Sequence, residues 1–310
     1  MDAASRAVIS GPAGEMPKAS DSGITDAPPC ACTQAIRRGV YIIMKTSRRA
    51  KQGADEEKLS RAWVPGRRKT AGKRGSREEK IMQTVYDLGK GLRLVDLSKL
   101  VDPASESRRC RLDRFNTGGP IPDFHTNLDI MSHLGTHAEC PYHHDESWPD
   151  VTEVPLDRFM GRGVYVNFGE SIAPNGHIGA VDLDRFGAKL REGDIAIIDS
   201  SYKLNPFTKD SNTELDKRLF VNAETAEWFR ERKVKAVGFG DGVSIENCNE
   251  DVKPFHDILL AENIIFIEVL KNLEELKQDV FFLSFTALPI KGLDSSPVHA
   301  YAIEGLAEFS

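Results

Sequence analysis

The stretch "HLGTHAECPYHH" (residues 133–144) holds four of the chain's eight histidines in twelve positions, together with Glu139 and Cys140. As a helix it fails. His133 and His137 would share a face, but Glu139 would point well away, and Gly135, Thr136 and Pro141 all disfavour the conformation. As an extended segment it is coherent: with a period of two, His133, His137, Glu139 and His143 all project to one side. Gly135 would admit another backbone or a metal at close range, and Pro141 would stiffen the exit. Two imidazoles and a carboxylate on one face form a facial ligand set that leaves positions open for water and substrate. The competing interpretation is a surface loop with scattered histidines, and three same-face ligands plus a further histidine favour the metal.

Outward from this run, short apolar segments recur from about residue 93. "LRLVDL", "GVYVNF", "DIAIID", "KAVGFGD" and "NIIFIEV" are rich in β-branched or aromatic residues and match buried strands in length. Between them lie helical patterns. "VDLDRFGAKL" starts near an acidic cap. "NAETAEWFRERK" has Asn222 as its cap candidate and a basic end, and "KPFHDILLAEN" has Pro254 in its first turn and Asn263 at its end. Strands alternating with helices predict one α/β domain of a little over 200 residues, spanning 93–310. "GFGDG" follows a strand but lacks the rest of a dinucleotide fingerprint.

The rest of the chain differs in kind. Residues 1–81 carry 17 Lys and Arg against 9 Asp and Glu, a net of +8, whereas residues 82–310 carry 24 against 38, a net of −14. The basic part is rich in Ala, Gly, Ser and Arg and has no periodic apolar face to offset the entropy of ordering it. It reads as a disordered basic extension, or as an upstream start with Met82 the natural beginning. Its two aromatic residues, Tyr41 and Trp63, are too few to interleave the charges as nucleic-acid stacking requires, so no nucleic-acid partner is expected. Its acidic residues argue against a mitochondrial presequence. No apolar run approaches the ~18 residues of a membrane span. The five cysteines are irregularly spaced, so the expectation is a reducing, cytoplasmic setting without a membrane partner.

A second constellation lies downstream in "HDILLAENIIFIEVL". Glu268 sits inside an otherwise apolar strand, where an ionised carboxylate requires a cation, strong donors or a raised pKa. His256 precedes it by twelve residues. On residues alone, a salt-bridged or edge-exposed glutamate and a metal ligand both fit.

The run from His133 to His143 resembles the H-x-G-T-H-x-D-x-P-x-H signature of the cyclase family of metal-dependent hydrolases, which includes kynurenine formamidases and isatin hydrolases. "GDIAIID", "AVGFGDGVSIE", "HDILLAENIIFIEVLKNLEEL" and "ALPIKGLDSSPVHAYAI" resemble its later segments in order, so the likeness spans roughly residues 93–310. The resemblance implies a compact α/β fold with a mixed sheet and a β-rich half, assembled as a homodimer or homotetramer. It implies His133, His137 and Glu139 as ligands of a first Zn²⁺ or Mn²⁺ ion. In two-metal members His256 and Glu268 would hold a second ion bridged by the same carboxylate. His143 stands at the family's proton-transfer position. Two departures are visible: Glu139 where the signature most often has Asp, and His299 where many relatives have Arg.

The resulting expectation is an arylformamidase-like, metal-dependent amidohydrolase. It would cleave a C–N bond in an amide, an aryl formamide such as N-formylkynurenine (a step of tryptophan catabolism), or a small lactam. His143 would carry the proton, its unperturbed pKa of ~6.5 suiting that task; a histidine that only orients a ligand is the other reading. A cyclase or lyase using the same ligands, and a non-catalytic binding member, are the rival functions. His125, His144 and His177 are expected to be surface or structural residues, and Cys140 packed. Asp241 and Ser244 follow a strand and could line the pocket or stabilise a turn.

Overall fold

The computed structural model describes residues 83–309, leaving out 122, 205–208, 210–212, 247 and 248. The expectation of a disordered extension over 1–81 lies outside these residues. The described chain opens with β1 (Val85–Gly89) and β2 (Leu92–Asp96), then β3 (Cys110–Asn116), β4 (Phe124–Ile130), β5 (His137–Glu139) and β6 (Met160–Asn167). After helix α1 (Ala180–Gly187) come β7 (Ile195–Asp199), β8 (Leu219–Phe220), helix α2 (Ala223–Glu231), β9 (Ala236–Gly240) and β10 (Val243–Ser244). Helix α3 (Asn249–Leu260), β11 (Ile265–Leu270), β12 (Val280–Ser284), β13 (Ser295–Pro297) and β14 (Tyr301–Glu304) complete the order.

Ten of these strands form one mixed sheet in the order β1-β2-β14-β12-β6-β7-β9-β11-β5-β13. The centre, β6-β7-β9-β11, is parallel, and the flanking strands are antiparallel. The parallel centre follows from composition. All five residues of β7, "IAIID", are buried, so the strand presents apolar side chains to both faces. Ala196 and Ile198 join Val237, Phe239 and Phe266 beneath Leu183, Trp228, Phe229, Phe255 and Leu259 of the three helices. Ile195 and Ile197 face the opposite layer, with Ala236, Ile265, Ile267, Phe281 and Leu283. Helices thus cover one face, while strands and loops close the other. This is the α/β fold with a β-rich half that the sequence predicts.

The predicted strands all form, and Asn222 caps α2 through a reciprocal pair with Thr225 (3.1 and 3.2 Å). Two boundaries differ from expectation. The sheet begins at Val85, because β1 completes an antiparallel pair with β2 whose apolar signal is weak on its exposed face. Helix α3 begins at Asn249, which places Pro254 inside it. A proline near a helix start removes only one backbone bond, so the acidic first turn of Glu250 and Asp251 extends the helix upstream.

Pairing of β5 with β11 builds the site. His137 lies opposite Glu268, Ala138 opposite Ile267 and Glu139 opposite Phe266. Ala138 and Ile267 belong to the β-rich layer, so His137, Glu139 and Glu268 emerge together on the helical face. There α3 lays His256 against Phe266, with ring centroids 5.0 Å apart.

Candidate metal centre

Glu139 is the hub. Its Oε1 lies 2.6 Å from His133 Nδ1 and 3.4 Å from His137 Nε2, and its Oε2 lies 3.7 Å from His256 Nε2 and 4.0 Å from His143 Nε2. His137 Nε2 is also 3.4 Å from Glu268 Oε2. The six residues expected at the site therefore converge, though by a different route than an uninterrupted extended face. Only His137–Glu139 is a strand. Gly135 turns the chain at φ +61°, which brings His133 round to the cluster, and what it accommodates at close range is the side chain of Val101. Pro141–His143 forms a single 3₁₀ turn that swings His143 over Glu139.

That turn also sets the place of His144, a structural residue. Residues in a 3₁₀ helix rotate by a third of a turn each rather than alternating. His144 accordingly faces α3, with Nδ1 2.7 Å from Asp257 and its ring 5.3 Å from that of His256. The other histidines stand away from the centre: His125 is exposed, His177 pairs with Asp251 at 2.8 Å, and His299 lies 3.2 Å from Asp96. Cys140 is packed in the β-rich core, and burial pushes its thiol up to about 12. Asp241 is ion-paired with Lys271, and neither it nor Ser244 lines the cleft at the histidines.

Hydrogen bonding settles which nitrogens face the centre. His137 Nδ1 is 2.9 Å from the Gly135 carbonyl, and His256 Nδ1 is 2.7 Å from the Val252 carbonyl. A carbonyl only accepts, so each Nδ1 carries the hydrogen and each Nε2 turns a lone pair inward. His137 Nε2 and Glu139 Oε2 are buried without a hydrogen-bond partner. Buried polar atoms left without a hydrogen-bond partner beside a second carboxyl call for a cation. Imidazole nitrogens and carboxylate oxygens fit Zn²⁺ or Mn²⁺, so the residues present suit a divalent metal.

Charge is distributed unequally between the two carboxyls. Burial opposes ionisation of Glu139, but the surrounding histidines, His133 first, outweigh it and hold the group well below the usual carboxylate range. Burial and then the Glu139 charge push Glu268 well above that range. The two buried carboxyls thus repel each other's charge, which favours ionising Glu139 over Glu268. Burial also works against charging His133, yet Glu139 and Asp294 on its two sides raise its pKa.

The centre opens into a cleft of about 500 Å³ whose wall includes Arg108, Met131, Ile245, Glu246 and Val252. Arg108 bonds the His133 carbonyl and pairs with Glu246, bracing this wall. Sequence reasoning missed Arg108, Glu246 and Asp294. Asp294 lies 2.8 Å from His133 Nε2 and 3.4 Å from His143 Nδ1. Its one signal was an acidic residue directly ahead of the buried "SSP" strand.

The cyclase family model matches residues 86–247, just over half of the chain and the whole of the His133–His143 run. The chain belongs to the cyclase family. Among relatives of this cyclase-family protein, the kynurenine formamidase of Bordetella petrii is 26% identical over 185 residues, covering 58% of this chain and 81% of that protein. Isatin hydrolase A from Ralstonia solanacearum matches in structure with a TM-score of 0.56 at 19% identity, over 68% of this chain and 92% of the other. A structure described as a potential metal-dependent hydrolase with cyclase activity matches with a TM-score of 0.55 at 19% identity, over 69% of this chain and 98% of the other. These two structural matches speak for the fold. Among the described residues no helix is long and apolar enough to cross a membrane.

Proposed function

We propose that this protein is a metal-dependent amidohydrolase that cleaves the C–N bond of an aryl formamide or small lactam. The observation that carries this reading is the pair of buried atoms without a hydrogen-bond partner, His137 Nε2 and Glu139 Oε2, beneath an open cleft that Glu139 and His143 line. His133, His137 and Glu139 would hold the first ion, and His256 with Glu268 would hold a second where two bind. The cation would be Zn²⁺ or Mn²⁺, and when bound it supplies Lewis acidity, acidifying a water and polarising the substrate carbonyl.

The chain's own groups divide the remaining work. His143 is exposed to the cleft, with Nε2 4.0 Å from Glu139 Oε2, so it can take the proton of the attacking water and return it to the departing nitrogen. The water oxygen joins the carbonyl carbon and the C–N bond breaks, giving formate and an amine from a formamide or a single ring-opened amino acid from a lactam. Met131, Ile245 and Val252 offer the apolar wall an aromatic ring requires. The kynurenine formamidase relatives make N-formylkynurenine the first substrate to test, and the isatin hydrolase fold match makes isatin the second.

The test is hydrolysis of N-formylkynurenine, formanilide and isatin by protein loaded with Zn²⁺ or Mn²⁺, following formate release or ring opening. His143→Ala is expected to keep its metal and lose ~10²–10⁴-fold in kcat. Fully loaded protein that hydrolyses none of the three would overturn the reading, and ring closure without water consumption would replace it with a cyclase.

A further inference from the structure

The two histidines with different proposed tasks share a single carboxylate oxygen. Asp294 Oδ2 lies 2.8 Å from His133 Nε2 and 3.4 Å from His143 Nδ1, and the two rings stand 4.5 Å apart around it. The carboxylate is held from behind. Its own carbonyl accepts from Cys140 N–H at 2.9 Å, and the preceding Leu293 carbonyl accepts from Val151 N–H at 3.0 Å. Gly292 N–H donates to Asp150 Oδ2 at 2.6 Å, and the following residue, Ser295, pairs directly with Glu139 in the β5–β13 ladder. The ladder that places the hub of the metal centre therefore also places Asp294.

We propose that Asp294 is a positioning residue common to the metal centre and the proton carrier. Through Oδ2 it holds Nε2–H of His133, so that Nδ1 faces the cation site, and Nδ1–H of His143, so that Nε2 faces the cleft. His137 and His256 have their outer nitrogens anchored on backbone carbonyls; His133 has a carboxylate instead, an arrangement that fixes the ring and raises the basicity of the ligand nitrogen. Sharing one oxygen makes ligand geometry and proton-carrier geometry depend on the same side chain. The inference rests on the roles assigned above to His133 and His143.

Asp294→Asn keeps the shape but replaces one acceptor oxygen with a donor, and the side chain is a third exposed, so the fold should tolerate it. Two readouts need no substrate. Competition with a chelator should show Zn²⁺ affinity lowered ~10–100-fold. At saturating Zn²⁺, long-range ¹H–¹⁵N spectra of histidine-labelled protein should show His143 as the Nδ1–H tautomer in the parent and shifted toward Nε2–H in the variant. With an active substrate, kcat should fall while KM stays near the parent value, and Asp294→Glu should recover part of both losses. Unchanged Zn²⁺ affinity or an unchanged His143 tautomer in Asp294→Asn would each overturn the shared role. If both move but no C–N bond is cleaved, the positioning role stands and the hydrolase reading falls.

Discussion

Gly135→Ala tests how the tight turn between the first two histidines is built. Gly135 has φ +61°, and a Cβ there would lie 2.6 Å from Val101 Cγ2. Two penalties follow. Holding an alanine in the left-handed region costs about 1–2 kcal/mol. Relieving the overlap forces Val101, whose branched side chain has little χ1 freedom, or the turn itself to move, at about 1–3 kcal/mol. The sum is about 2–5 kcal/mol, and in a domain of this size each kcal/mol lowers Tm by roughly 2–4 °C. The same carbonyl that would shift accepts the His137 Nδ1 hydrogen at 2.9 Å, so metal affinity should fall with stability. Denaturant unfolding and chelator competition on the purified variant measure both. Adding Val101→Ala should recover the overlap part and leave the backbone part, so the double variant should fall between the parent and Gly135→Ala. A single variant within ~0.5 kcal/mol of the parent, with unchanged metal affinity, would refute the reasoning.

Three further outcomes are expected. His137→Ala removes a fully buried imidazole whose Nε2 faces both carboxylates, and elemental analysis should find little bound metal and activity lost with it. Glu268→Gln mimics the neutral acid, so metal-stripped variant should unfold at or above the temperature of metal-stripped parent, while its metal affinity falls. Glu106 is buried, which opposes its ionisation, but Lys99 at 2.8 Å and the Arg108 and Ser107 amides outweigh this and lower its pKa. A carboxyl with a depressed folded pKa contributes stability above its unfolded pKa of ~4.3 and loses it as pH falls through the folded value. Glu106→Gln should therefore cost about 1–3 kcal/mol in urea unfolding at neutral pH, with the gap to the parent closing in acid.

Much of this molecule was legible in the chain itself. Buried strands such as "IAIID" announce themselves because a strand covered on both faces is predominantly apolar, and Asn222 announces a helix start because its side chain satisfies an orphan amide. A candidate site at His133, His137, Glu139 and His143 was legible because four metal-ligating or proton-carrying residue types recur within eleven positions. What the chain could not reveal was conformation within that cluster. An extended face would spread the four groups along about 30 Å of chain; the turn at Gly135 and the 3₁₀ turn of Pro141–His143 gather them around one point. The long-range partners were decided entirely by tertiary structure. Glu268 could have been a salt-bridged edge residue until β11 paired with β5 and set it opposite His137. Asp294, more than 150 positions from the histidines it touches, carries only the weak signal of an acidic residue ahead of a buried strand; its place comes from β13 closing onto β5. Local spacing determines which side chains can share a face, but the energy that brings distant strands into register is spread over the whole core, and no short window of sequence contains it.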